Sequence, residues 1–339
     1  MNNLRILISR PDRIGDVVLS TSLPREIKNQ HPDSFVAILA RSYTKDIYSY
    51  NPYVDEIILI DKPGQTSLDL VKRIRNYSFT HGIMLLPTER VNWILFFSGI
   101  KTRIGVGHKF YQFITNTKSV YRRKYNPLRH EADYCADSIR KIGIKVTSLD
   151  SEIHLTEDEK GKSRISKDKL CPNGEFLIGV NSTSGMSAPN MKPGEYRKLI
   201  EKLSLNNNIK IAVTDLAIPG ELKDIPGIIY LNEGNSLRES IINFSALDLL
   251  ISASTGPMHI ASALEVPTLS LFCPLPACSP DLWRPMGNKQ EIILPGNDYC
   301  GVVCPGDPKK CDFSGDRGIN AEIVYNKTLA FMNVLKGNK

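Results

Sequence analysis

"LRILISRPDRIGDVVLSTSLP", residues 4–24, sets an apolar, β-branched run ahead of a short turn and a stretch with helical spacing. Strand, glycine-containing turn and helix are how a dinucleotide-binding unit begins, with phosphate on the helix N-terminus. This turn has one glycine, Gly15, and two carboxylates, Asp12 and Asp16. The positive end of a helix attracts phosphate, and carboxylates in that place repel it. The segment predicts an α/β fold but not a phosphate cradle at this point.

Working outward, strand-like runs alternate with helical ones along the whole chain. LRILIS, SFVAILA, DEIILI, HGIMLLP and TRIGVG read as strands, with helices in DVVLSTSLPREIKNQ and LDLVKRIRNY. A helix in ADYCADSIRKIGI is followed by the polar stretch SLDSEIHLTEDEKGKSRISKDKLCPNGE, which predicts a domain boundary. The pattern then restarts with strands in FLIGVNS, IKIAVTD, GIIYLN, DLLISAS and PTLSLF. Such alternation predicts parallel sheets with right-handed crossovers, here twice, in two α/β domains facing each other across a cleft.

Composition agrees with this division. The 339 residues are 41% hydrophobic and 23% charged, as in a soluble globular protein of two domains. No apolar run approaches the roughly 18 residues of a membrane helix, and the start lacks a signal-peptide pattern, so a cytoplasmic protein is expected. The net charge of +7 is uneven. Residues 1–150 carry 23 Lys and Arg against 14 Asp and Glu, a net +9, whereas residues 151–339 carry 20 against 22, a net −2. A basic half predicts an anionic partner for that half. Its densest stretch, KSVYRRKYNPLR at 118–129, lacks the aromatic interleaving or fold signature of a nucleic-acid binder, and no nucleic acid is expected.

Seven cysteines at uneven spacing do not read as a disulfide framework. Cys300, Cys304 and Cys311 lie at x3 and x6 spacings, short of the paired Cys-x2-Cys of zinc knuckles. Reduced thiols are expected there in preference to a metal site completed by Cys278.

The second half holds the better anion site. In DLLISASTGPMHIASALEVPTLSLF, Ser254 and Thr255 end a strand, Gly256 permits close approach, and Pro257 suits a first helical position. The uncapped N–H groups that follow can meet an anion, with His259 one turn in. Earlier, GVNSTSGMSAPNMKPGEYRKL puts small polar residues after a strand and Lys192 just before a helix, where an ammonium can neutralise phosphate.

RPDRIGDVVLSTSLP, HEADYCADSIRKIGI and STGPMHIASALEVPTLSLF, with NPYVDEIILID and the MKPGEYRKLI region, together resemble the heptosyltransferases of glycosyltransferase family 9. The resemblance implies a GT-B fold: a Rossmann-like acceptor domain over 1–165 and a Rossmann-like nucleotide-sugar domain over 166–339, whose last helix, about 320–336, can pack back on the first. It implies inverting, metal-independent transfer of a heptose from a nucleotide sugar, with ADP-heptose expected, to an anionic lipopolysaccharide inner-core acceptor, by an enzyme peripheral to the inner face of the inner membrane and without a cofactor. By the same resemblance Asp16 is the catalytic base, with Asp12 capping the helix after it. Thr255, Gly256, Met258 and His259 with Lys192 meet the diphosphate, and Ser182 and Thr183 add hydroxyl contacts. Consistent with metal independence, the chain has no Asp-x-Asp motif. Ser254 stands where family members commonly carry Asp, which leaves open a different donor, a non-catalytic binding protein or a sugar-nucleotide epimerase. A nicotinamide oxidoreductase is a further alternative, against which the lack of a Gly-x-Gly-x-x-Gly after any strand counts.

Overall fold

The computed structural model describes residues 4–122, 126–304 and 306–337. They form two units, 1–154 and 155–339.

The first unit carries β1 (Arg5–Ser9), β2 (Phe35–Ala40), β3 (Glu56–Leu59), β4 (His81–Met84), β5 (Thr102–Val106) and β6 (Lys118–Val120). They form one sheet in the order β3-β2-β1-β4-β5-β6, every pair parallel. The second carries β7 (Phe176–Asn181), β8 (Ile209–Val213), β9 (Ile229–Tyr230), β10 (Leu249–Ala253), β11 (Thr268–Leu271) and β12 (Gln290–Ile293). Their order, β9-β8-β7-β10-β11-β12, repeats the first and is again all parallel. Both are doubly wound sheets, and the chain reverses direction across each sheet at β1/β4 and at β7/β10. Ligands of such sheets lie beyond the carboxyl ends of the strands at that reversal. In the first unit those ends lead into the Asp12–Asp16 turn. In the second they lead into Ser182–Thr183 and Ser254–Thr255.

Strands buried on both faces read as unbroken apolar runs. β1 is buried from Ile6 to Ser9 and β7 along its whole length. The two strands the sequence reading lacks, β6 and β12, each lie at one edge of their sheet, and their short runs KSV and QEII carry weak apolar signals.

The domain boundary needs correction. It falls at residues 154/155, not 165, so the helix Glu157–Leu170 belongs wholly to the second unit. Its polar face explains the placement: Glu159 pairs with Arg238, Ser163 takes a 2.8 Å hydrogen bond from Ser245, and Lys167 reaches Asp248 at 2.6 Å. The last helix, Ala321–Gly337, buries Val324, Phe331, Met332 and Leu335 in the core of the second unit beside Tyr196 and Leu199, which accounts for its apolar stripe.

Gly179 in β7 shows how closely the side chains of the neighbouring strand segments pack over this sheet. A Cβ there would overlap Leu247 and press on Leu250 at 3.1 Å and Thr214 at 3.2 Å. Gly179→Ala is expected to destabilise the second unit by about 1–3 kcal/mol, the usual cost of overpacking. Denaturant unfolding with an unchanged midpoint would contradict this.

Candidate functional site

The turn after β1 is organised by Arg10, whose side chain is only 2% exposed. Its Nε donates to the Asp16 carbonyl at 3.1 Å and its Nη2 to the Asp16 carboxylate at 2.8 Å. The same Nη2 donates to Glu131 at 3.2 Å, and Nη1 lies 3.8 Å from Asp12. Glu131 is buried in the first turn of the helix Glu131–Arg140 and also accepts from Arg122, at 3.1 Å through one oxygen. Three carboxylates therefore share Arg10, with Arg122 behind Glu131.

Asp16 sits in the short helix Ile14–Val18 and keeps about a fifth of its side chain open to solvent. Burial pushes its carboxyl up to about 6, and Asp12 and Glu131 add to the rise while Arg10 and Arg122 oppose it. A carboxylate of that pKa is ionised at neutral pH yet basic enough to accept a proton from a reacting group. Asp12 does not cap the helix. Its Oδ1 accepts the N–H of Arg13, the residue before the helix, at 2.8 Å and so fixes the turn.

The basic stretch 118–129 is not the free patch that the charge count suggested. Arg122 is bound to Glu131 and lies over the Tyr134 ring, while Arg129 pairs with Asp133 at 2.6 Å and Asp137 at 2.8 Å. Arg123 and Lys124 lie outside the described residues.

In the second unit the helix Gly256–Ala263 follows β10 almost directly. Thr255 precedes it in an extended conformation and its side chain does not cap the helix. Its Oγ1 is buried and has no hydrogen-bond partner, a costly state unless a ligand supplies one. Met258 is fully buried in the first turn of this helix, so its side chain cannot be a ligand contact. His259 is buried one turn in, and half-buried Ser254 spends its N–H on Leu271 of β11 at 3.2 Å.

Ser182 and Thr183 are committed elsewhere. Their N–H groups and hydroxyls all donate to the carboxylate of Asp215, at 2.5–2.9 Å. Asp215 ends the run IKIAVTD, and a carboxylate at a strand end beside that pair was the available signal for it. Lys192 stands just before the helix Pro193–Ser204, exposed, with its Nζ 3.0 Å from Asp312. Against the upward push of burial, hydrogen bonds from Ser314 and Lys192 hold the Asp312 carboxyl down at about 2.

The cysteine cluster includes a member beyond those expected. Cys300 meets Cys273 and Cys304, and Cys304 meets Cys311, so Cys273 joins the three thiols that the spacing singled out. Burial pushes the Cys300 thiol up to about 12, which keeps it neutral. Among the described residues no group of three or more His, Cys, Asp or Glu side chains is arranged to hold a metal ion.

Comparison with known proteins bears on both units. The family model for glycosyltransferase family 9 (heptosyltransferase) matches residues 67–302. Lipopolysaccharide heptosyltransferase 2 of Salmonella typhimurium is 22% identical over 313 residues, covering 86% of this chain and 88% of its own. A family 9 glycosyl transferase of Veillonella parvula has a similar structure, with a TM-score of 0.78 at 19% identity over 99% of this chain and 98% of that one. The ADP-heptose lipopolysaccharide heptosyltransferase II of E. coli gives a TM-score of 0.72 at 17% identity, covering 98% of each chain.

The charge cluster makes a prediction that needs no substrate. A carbon-13 NMR titration should give Asp16 an apparent pKa near 6. Arg10→Met removes the cation that favours the ionised form and should move the midpoint up, while Glu131→Gln removes a like charge and should move it down. A wild-type midpoint near 4, the ordinary carboxylate value, would overturn the reading.

Proposed function

This chain belongs to glycosyltransferase family 9, the heptosyltransferases, and from that premise we propose that it transfers heptose from ADP-heptose, with inversion, to an inner-core lipopolysaccharide acceptor. The observation that carries the reading is Asp16, a partly exposed carboxylate of pKa about 6 on a turn unsuited to phosphate. In an inverting transfer the acceptor hydroxyl attacks the anomeric carbon opposite the leaving group as a base takes its proton. Asp16 is that base, and Arg10 is the positioning residue that holds it through carbonyl and carboxylate together.

The leaving diphosphate gains charge as the glycosidic bond breaks, and preorganised donors that meet this charge lower the barrier. The Gly256 and Met258 N–H groups, the Thr255 hydroxyl and His259 supply them, with the Lys192 ammonium as counter-charge. These groups need no metal to neutralise the diphosphate. Lys192 must leave Asp312 or share itself between the two. Ser182 and Thr183, bound by Asp215, shape the site through their backbone, not by donating to the diphosphate. Among the described residues no helix is long and apolar enough to cross a membrane. The acceptor is a lipid, so the enzyme works peripherally at the cytoplasmic face of the inner membrane.

The direct test is release of ADP from ADP-heptose with a lipid A–Kdo acceptor. Asp16→Asn should lower kcat by about 10²-fold or more, the usual size of a general-base contribution, with ADP affinity unchanged. Wild-type turnover in that variant would remove Asp16 from the role, and no turnover by the wild type would reject the donor–acceptor pair. Thr255→Val keeps the side-chain shape and should leave the melting temperature alone while weakening ADP binding by about tenfold, the value of one hydrogen bond. Calorimetry showing unaltered ADP affinity would exclude the hydroxyl.

A further inference from the structure

From Arg90 to His130 the chain carries nine Lys and Arg residues and no Asp or Glu. The same stretch holds an unusual concentration of exposed aromatic side chains. On the helix Glu89–Phe97, Phe96 and Phe97 are exposed and pack with Trp93 in a three-ring cluster, with centroids 5.4–6.0 Å apart. On the short helix Phe110–Ile114, Phe110 is 79% and Phe113 83% exposed, with Ile114 beside them. A soluble surface has no reason to hold bare phenylalanines at those levels in one place.

The two helices form one piece. Asn92 donates to the Tyr111 carbonyl at 3.3 Å and to the Thr115 hydroxyl at 3.0 Å. Arg103 is buried between them, its guanidinium over the Phe96 ring at 5.1 Å and bonded to the carbonyls of Ile100 and Thr115. Lys101, Lys109 and Lys118 are exposed in the same segment, and a recess beside Phe110 and Phe113 is lined by His108 and Lys109.

Aromatic rings in a strongly basic segment, where the one carboxylate at the rings is Glu89 accepting from the Trp93 indole at 3.2 Å, fit the headgroup level of an anionic bilayer. There rings sit at the apolar boundary and Lys and Arg meet lipid phosphates. We infer that the face formed by Trp93, Phe96, Phe97, Phe110 and Phe113, with Lys101, Lys109 and Lys118 of the same segment, docks the first unit on anionic membrane lipid. This rests on the reading above that the acceptor is lipid-anchored, and it moves the contact away from the 118–129 arginines, whose described members already have carboxylate partners.

The test uses the intact chain and vesicles of phosphatidylethanolamine and phosphatidylglycerol, about 3:1. Wild type should co-sediment at low salt and be released as salt rises, because screening weakens the cationic part. Phe110→Ser with Phe113→Ser should weaken pelleting at least about tenfold, since burying even one such ring contributes that much. Lys101→Glu with Lys109→Glu and Lys118→Glu should abolish the preference for anionic over phosphatidylcholine vesicles. Both variants should release ADP at the wild-type rate with a deacylated, water-soluble acceptor and show a raised KM for the lipid acceptor only. Wild-type pelleting by the phenylalanine variant would overturn the inference. So would a wild-type dimer in sedimentation velocity that this variant converts to monomer, which would make the face an interface between copies. If no acceptor elicits ADP release yet the phenylalanine variant still loses vesicle binding, the proposed reaction falls and the membrane surface stands.

Discussion

Arg10 is the constraint on which the first unit is built. A guanidinium taken out of water costs several kcal/mol unless opposite charges surround it. The turn after β1 supplies Asp12 and Asp16, but the partner that completes the enclosure, Glu131, comes from a helix more than a hundred residues along the chain. Burying Arg10 therefore requires the helix Glu131–Arg140 to be in place, and Glu131 in turn is tolerable only because Arg122 lies on its other side. The low exposure of Asp16 and its raised pKa are products of the same enclosure. A structural ion cluster has left one carboxylate under-compensated, and that carboxylate keeps access to solvent, as Glu131 does not.

The second unit solves a different problem by the opposite means. Asp215 takes four hydrogen bonds from Ser182 and Thr183 and so fixes the backbone beyond β7 without any cation. Asn190 adds to this by donating to the Ser182 carbonyl at 2.6 Å and accepting from Tyr196. The neighbouring strand end, at Thr255, is left with its hydroxyl unpaired. One strand end is saturated and rigid, and the other keeps donors in hand. In the proposed reaction the second would recognise the diphosphate and the first would position it.

Much of this was legible in the sequence. Strands buried on both faces leave continuous apolar runs, so ten of them could be read, and the carboxylates of Asp12 and Asp16 in a phosphate-type turn marked the candidate site. The rest depended on contacts between distant residues. Nothing local in RPDRIGD says that Arg10 points inward, because that follows from Glu131. A count of charges could not tell Arg122 and Arg129, which are spoken for, from Lys109 and Lys118, which are exposed. β6 and β12 lie at sheet edges and their runs KSV and QEII interrupt the apolar pattern with polar residues, and so they escaped where the apolar edge runs of β3 and β9 did not. Spacing drew attention to Cys278, while Cys273, just beyond β11, meets Cys300 and could not be picked out from the motif. The helix Glu157–Leu170 looked like linker because its contacts with the second unit are polar ones: Glu159 to Arg238 and Lys167 to Asp248.

The double grip of Arg10 on Asp16 also bears on how the protein opens. Loops that carry function usually unfold locally at little cost, and their amides exchange with solvent through such brief openings. Here the turn cannot lift away alone, because doing so would strand a buried cation and Glu131 with it. The amides around Asp16 should therefore exchange on the slow timescale of the central strands and not on that of surface turns, so that the turn opens only with the domain as a whole.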